Sequence, residues 1–488
     1  MAAAPLDVLI VGAGFSGLGL GMRLKQAGRH GFQVIERHAG VGGTWWANRY
    51  PGAACDIPSL LYSYSFAPNP RWSRLFPQQP EIQAYLADCV ERFGLAPHLR
   101  LSTELAALRW DESTQQWHAT LRGADGTAHE QRARSVVIAT GALSKPRWPE
   151  IDGLHDFGGR LLHTAAWDPS LPLAGQRIGV IGTGASAVQL VPELSATAAE
   201  VRVFQRTPSW IMPRHDRPLA RWQRTLCTHL PGFARTWRTA LYWQHEARVP
   251  GFTTRPQWLA AAESIALRHM KRQVREPALR DALTPRYRMG CKRILISDDF
   301  YPALTRPHVA LETTPIARIE PAGVRTADGR LHALDVLVAA TGFDAADAGP
   351  PCPVVGPGGH TLAEAWGLGA SAYLGTLVAG FPNLFFLVGP NTGLGHNSML
   401  QIIESQLALV LDALRRLDHH AALTVTNEAH HRFDDEVQHR LKSTIWSTGG
   451  CHSWYQSRDG RITTLWPGST IEFRRRTRRL ALADIHLR

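Results

Sequence analysis

The sequence predicts an α/β fold built from two Rossmann-like units with a helical insertion, and three observations carry this. First, a largely apolar strand-like run, a glycine-rich turn and a helix-like segment occur in that order twice, at 6–27 and at 176–194. Second, residues 214–288 are rich in Arg, Trp, Leu and Ala at helical spacing, with no glycine-punctuated strands. Third, buried-strand character returns at 336–340 (VLVAA) and 383–388 (NLFFLV). The length of 488 residues exceeds what one core holds. The expected layout is 1–144 with 342–488 as one domain, 150–213 with 290–341 as a second, and 214–289 as the insertion.

In the first unit, 6–11 (LDVLIV) reads as a strand buried on both faces and 32–36 (FQVIE) as its parallel neighbour. In the second, 176–181 (QRIGVI) and 201–205 take the same places around a helix at 185–194. After Asn397, Met399, Ile402, Ile403, Leu407, Val410, Leu411 and Leu414 mark the apolar stripe of the last long helix.

Composition narrows the function. Hydrophobic residues at 44% and charged residues at 19% are ordinary for a soluble enzyme. The net charge of +12 rests on arginine, since there are only five lysines. No nucleic-acid motif accompanies it, and the basic tail 473–488 reads as a solvated surface segment. The six cysteines show no CxxC and no pairing pattern, so they read as reduced thiols in a cytoplasmic protein, and no metal site is expected. No signal peptide is read, and 370–395 is broken by Gly and Pro, so no membrane span is expected.

Gly12, Gly14 and Gly17 form G-x-G-x-x-G between the first strand and its helix. The first glycine makes the turn, the second admits a pyrophosphate, and the third lets the helix pack on the strand. Glu36 ends the next strand, where a carboxylate accepts ribose hydroxyls. The following stretch, 41–56 (VGGTWWANRYPGAACD), favours FAD over NAD. Gly43 and Thr44 can lie against a flat ring, and Trp45, Trp46 and Tyr50 can wall it, although an aromatic core loop would look the same.

The second turn, GTGASA, offers Gly182, Gly184, Ala185, Ser186 and Ala187. Where an NAD site carries an acid, this chain has Gln205, Arg206 and Thr207. Arginine there suits the 2′-phosphate of NADP, and a plain surface arginine is the alternative.

With these motifs in place the chain resembles the class B flavoprotein monooxygenases, and within them the type I Baeyer–Villiger monooxygenases. Phe157, Gly159, His163, Trp167 and Asp168 match the fingerprint F-x-G-x-x-x-H-x-x-x-W-[PD]. Gly42, Gly43, Trp45, Tyr50, Pro51, Gly52 and Asp56 match G-G-x-W-x(4)-Y-P-G-x(3)-D. Residues 139–141 and 340–342 look like the two ATG hinges between domains.

The resemblance implies conversion of a ketone to an ester or lactone with O2, through a C4a-peroxyflavin, using FAD and NADPH. It implies Arg293 as the active-site arginine and Lys292 as a holder of the NADP 2′-phosphate. Trp454 would be the mobile tryptophan over NADP and substrate, and the fingerprint with His163 would position domains. A fixed guanidinium suits the chemistry because it is always charged and does not surrender its proton. Asp56 would pair with Arg293 and orient it. Asn391 and Thr392, before the last long helix, would contact the flavin's pyrimidine side, with an ordinary capping loop as the alternative. Expected partners are a small ketone and O2, with no nucleic acid or integral membrane association, in a monomer or weak homodimer. A related oxygenase acting on nitrogen or sulfur is the alternative. A disulfide reductase is opposed by the missing CxxC, and a nucleotide-binding redox sensor without turnover is the reading outside enzymes.

Overall fold

Leu6–Val11 lies between Phe32–Ile35 and Ala128–Ile138 and runs parallel to both. It is buried from Val8 onward. A strand paired on both sides inside a covered sheet has no polar face, which is why the run is unbroken from Val8 to Val11, with Asp7 at the exposed start. The structure is a computed structural model and describes residues 4–345, 349–367, 369–451, 453–457 and 460–488. Ala128–Ile138 serves two purposes. Its first half pairs antiparallel with Gln116–Gly123, and its second half runs parallel to Leu6–Val11. Leu384–Phe386 adds to the same strand in the register Leu384 opposite Val136. The late chain therefore completes a sheet begun at the N-terminus.

The second sheet holds five strands, all parallel. Their order is Val309–Glu312, Glu200–Phe204, Arg177–Ile181, Val336–Ala339 and Arg160–His163. The middle of the 157–168 motif is thus an edge strand. Gly159 precedes it because a Cβ there would stand 2.3 Å from the Asp335 carbonyl oxygen.

Between the sheets' strands, Arg221–His229, Phe233–Glu246 and Leu259–Gln273 form the bulk of the helical insertion. Its two ends are tied by the parallel pairing of Ile211–Met212 with Leu295–Ile296. Met399–Leu417 buries its apolar stripe against the first unit's core. It is not the last long helix, since Asn427–Leu441 follows it.

Two expectations are corrected. The basic tail is anchored in part: Arg476 pairs with Glu436 at 2.7 Å and Phe473 is buried, while Arg475, Arg478 and Arg479 face solvent. The cysteines are not all reduced: Cys291 and Cys451 form a disulfide across 160 residues. Only tertiary packing of 288–291 on 449–451 brings them together, which no spacing rule reports. Among the described residues no helix is long and apolar enough to cross a membrane.

Candidate active site

Each sheet opens into one glycine cradle, and the two are built alike. Gly12 sits at φ 109° and Gly182 at φ 110°. A Cβ on Gly12 would lie 2.8 Å from the Ala139 carbonyl oxygen, and one on Gly182 would lie 2.7 Å from that of Ala340. Each cradle therefore presses on one of the ATG hinges. Gly17 passes so close to the Gly12 carbonyl that no side chain fits. The helices that follow, Phe15–Gln26 and Ala185–Thr197, start at Gly14 and Gly184 with no side-chain cap and no acid in the first turn. Met399–Leu417, Asn427–Leu441 and Thr470–Arg476 are instead capped by Ser398, Thr426 and Ser469. Uncapped amides at a positive helix end fit phosphate. The cradles thus pass the test a dinucleotide sets.

Glu36 is buried, and its carboxylate already accepts the backbone amides of Ala13 and His38 at 2.9 and 3.0 Å. These bonds fix its direction beside the cradle and leave lone pairs for further donors.

The loop 41–56 touches both units. Gly43 packs against Gly14, where its Cβ would lie 3.0 Å from the Gly14 Cα, so the loop does approach the first cradle. Thr44 is exposed at the start of the short helix Thr44–Ala47, and the Trp45 indole donates to the Tyr62 hydroxyl at 2.9 Å. Trp46 lies over Gly40 and under the Arg49 guanidinium. Tyr50, however, belongs to the core of the second unit together with Trp167 and Ala187. Its hydroxyl donates to Gln189 at 2.9 Å and neighbours Ser186. Gly52, at φ 79°, lets the loop pass 2.6 Å from the Gln189 carbonyl as measured to a would-be Cβ. The Y-P-G motif is therefore a joint between units. Gln189 carried no sequence signal, because its role exists only once a helix of one unit meets a loop of the other.

That joint ends at Asp56. The Arg293 Nε and Nη2 donate to one Asp56 oxygen at 2.8 and 2.5 Å. Asp56 beside the guanidinium raises its already high pKa, against the opposing pull of burial. The Arg293 side chain remains 42% exposed and Asp56 26%, so the pair faces open space on one side. Two residues absent from the sequence reading adjoin it. Burial pushes the Tyr455 phenol up to about 12, with Arg293 acting the other way. The partly buried Tyr62 phenol is pushed well above its ordinary range by the same desolvation. Trp454 is 40% exposed and its ring lies 4.4 Å from that of Tyr455.

At the second cradle, Arg206 is exposed and the Thr207 carbonyl accepts the Thr183 hydroxyl at 2.9 Å. Lys292 reaches the same region, with its ammonium 5.1 Å from the Tyr287 ring. Its pKa is lowered by burial and by Arg206. Two cations held near each other fit a dianionic phosphate.

The fingerprint 157–168 lies at the crossing between units. Phe157 is buried with Leu154, Ile181 and Phe204. His163 is 1% exposed, and its ring meets Trp148 at 5.1 Å and Phe343 at 6.3 Å. The Ala165 amide donates to its Nδ1 at 3.0 Å, and burial lowers its pKa. The two crossings are themselves bonded, with Arg147 N donating to Gly342 O at 2.9 Å. Asp168 accepts the Ser170 amide and hydroxyl in a turn, which lowers its pKa, and it touches no other part of the site.

The 389–398 segment is held by the tail. Asn391 is buried and its amide donates to Ile462 O and Leu465 O at 2.8 and 3.1 Å, while Thr392 donates to Gly389 O. These side chains tie the loop to the tail, because a buried loop must satisfy its own polar groups first.

Residues 9–224 match the pyridine nucleotide-disulphide oxidoreductase family. A Baeyer–Villiger monooxygenase of Pseudomonas aeruginosa is 45% identical over 489 residues, covering 100% of this chain and 92% of that protein. A structure described as an oxidized steroid monooxygenase bound to NADP superposes with a TM-score of 0.86 at 31% identity, covering 99% of both chains. A structure of OTEMO in complex with FAD and NADP gives 0.86 at 27% identity over 100% of both chains. With two glycine cradles, an aspartate-held arginine and this likeness along its full length, the chain belongs to the Baeyer–Villiger monooxygenases, a family of flavoprotein oxygenases.

Proposed function

We propose that the Asp56–Arg293 pair is the oxygen-insertion site of an FAD- and NADPH-dependent enzyme that converts a ketone to an ester or lactone with O2. The observation that carries this is the double hydrogen bond from Arg293 to a single Asp56 oxygen, on the loop that also packs against the first cradle.

The first cradle, with Glu36, would hold FAD, and the second, with Arg206, Thr207 and Lys292, would hold NADPH. When bound, these groups supply hydride transfer and the activation of O2. The protein's part is electrostatic. Arg293 presents a charge that cannot be lost at neutral pH, and Asp56 sets its direction before reaction, so no reorganisation is needed as negative charge develops on the substrate oxygen. The double bond to Asp56 leaves Nη1 free of that contact and available to face substrate. Tyr455, buried and kept protonated at neutral pH, adds a neutral polar group beside the cation. His163, between Trp148 and Phe343, would hold the crossing between units, and Trp454 would cover coenzyme and substrate.

The domains follow the same reading: 1–144 with 342–488 for FAD, 150–213 with 290–341 for NADP, and 214–289 as the helical insertion over the substrate. The proposed setting is cytoplasmic, as a monomer or weak homodimer. The test is direct. Purified protein should show an oxidised-flavin spectrum, bleach with NADPH, and form esters from members of a ketone panel. Colourless protein that FAD cannot reconstitute, or NADPH oxidation with no ester from any ketone, refutes it.

A further inference from the structure

Cys291 immediately precedes Lys292 and Arg293, and Cys451 stands three residues before Trp454. Their bond joins segments 160 residues apart, with Cα atoms 6.1 Å apart. Each of these segments supplies residues to the site. The contact does not depend on the bond alone. Arg288 N donates to Gly449 O at 3.0 Å, and a Cβ on Gly449 would lie 2.5 Å from the Cys291 Cβ. The two sulfurs are therefore presented to each other by the surrounding packing. Beyond Cys451 the chain carries the exposed Trp454. A cleft of about 510 Å³, lined by Trp210, Tyr287, Arg288, Gly449 and Gly450, opens at this seam next to the half-buried Cys451. The cleft brings small reagents to the seam beside Cys451, while Cys291 itself is buried. The other cysteines differ: Cys55, Cys89 and Cys227 are buried and unpaired.

We propose that Cys291 and Cys451 are a reversible redox-active pair whose oxidant is a hydroperoxide, and that their bond latches the Trp454 segment onto the Arg293 segment. This rests on the proposed function of Arg293 and Trp454. The balance is simple. Two thiols give up two protons and two electrons, the S–S bond forms, the O–O bond of hydrogen peroxide breaks, and two waters leave. A small dithiol reverses it by exchange. The enzyme's own failed cycles supply the oxidant: NADPH, a proton and O2 that do not end in product end as NADP⁺ and hydrogen peroxide. Disulfides of this kind in reducing compartments are usually transient or sensing. Closing the latch restricts an arm that must move for coenzyme exchange, so the oxidised enzyme is slower and leaks less.

The test uses the full-length FAD-loaded enzyme, treated either with dithiothreitol or with hydrogen peroxide and then desalted. Denatured thiol titration should count six thiols after reduction and four after oxidation, and peptide mass mapping should find 291 joined to 451. In the oxidised form, substrate-free NADPH oxidation and kcat should both fall several-fold, and hydrogen peroxide per NADPH should fall with ketone present. Cys451→Ser and Cys291→Ser should keep the reduced enzyme's values under either treatment, and Cys352→Ser should still switch. Six thiols after peroxide, or equal rates and equal leak in the two states, overturn the proposal. The thiol count and substrate-free rate read the latch even in an enzyme that oxygenates no ketone, so its failure is distinct from failure of the proposed function.

Discussion

Replacing Arg293 by alanine separates oxygenation from reduction. The guanidinium is held by two N–H groups on one Asp56 oxygen, at 2.8 and 2.5 Å. It therefore acts as a charge of fixed position. A unit charge about 4 Å from a developing anion contributes about 4 kcal/mol at an effective dielectric of about 20. Removing one preorganised electrostatic group typically costs about 3–4 kcal/mol, or about 10²–10³ in rate. Arg293→Ala should thus lose ester formation by about that factor. The cradles lie on other segments, so FAD should stay bound and anaerobic NADPH should still bleach it. In air, NADPH oxidation should then end in hydrogen peroxide. The assay follows NADPH absorbance, peroxide and ester together. Arg293→Lys keeps a charge but cannot reproduce the planar two-donor grip on Asp56, so it should recover only part of the ester yield. Asp56→Ala should show a milder form of the same defect. An unchanged ratio of ester to NADPH in Arg293→Ala would falsify the role assigned to this residue, as would loss of anaerobic bleaching with FAD retained.

Other outcomes follow from separate observations. Arg206→Ala should raise the KM for NADPH about 10-fold, the low end expected for an exposed charge-assisted contact, and leave NADH unaffected; equal use of both coenzymes by the wild type refutes this. His163→Ala, or Trp148→Ala beside it, should slow turnover with FAD still bound, because the crossing between units loosens; an unchanged kcat would make the fingerprint merely structural. Glu246 gives a pH test. Burial works to raise its pKa, but the His396 ring at 3.6 Å and hydrogen bonds from Asn397 and Thr470 outweigh it and hold the carboxyl down at about 2, against an ordinary 4.5. A depressed carboxyl contributes stability that is present above the ordinary value and lost as pH falls through the folded one, about 3 kcal/mol here. Glu246→Gln should lower Tm at neutral pH, and the gap to wild type should close between pH 4.5 and about 2; a gap that stays constant with pH removes the carboxylate from the account.

Much of this was legible in the sequence because it depends on local spacing. A strand, a glycine turn and a helix within 30 residues specify a phosphate cradle, since the steric demands on Gly12, Gly14 and Gly17 come from the same short unit. Arg293 and Asp56 were named from motifs alone, and the structure brings them into contact. What escaped depends on long-range packing. Tyr50 read as a cofactor wall, and its bond to Gln189 of the other unit was not legible, since an aromatic side chain does not announce which surface will cover it. Asn391 read as a ligand contact, and its amide bonds to the carbonyls of Ile462 and Leu465, 71 and 74 residues away, were not legible beside that reading. Cys291 and Cys451 read as separate thiols, because a bond between residues 160 apart is set by how two segments pack. The sequence by itself determined the two glycine cradles, the absence of an acid where Gln205 and Arg206 stand, and the choice of Arg293 and Asp56 as candidates, all of them consequences of backbone conformation and residue type over short spans. The tertiary structure alone decided how the units meet at Gln189 and Tyr50, how His163 is enclosed by Trp148 and Phe343, and that the arginine and tryptophan segments are stapled, because each of these contacts exists only after distant parts of the chain have packed.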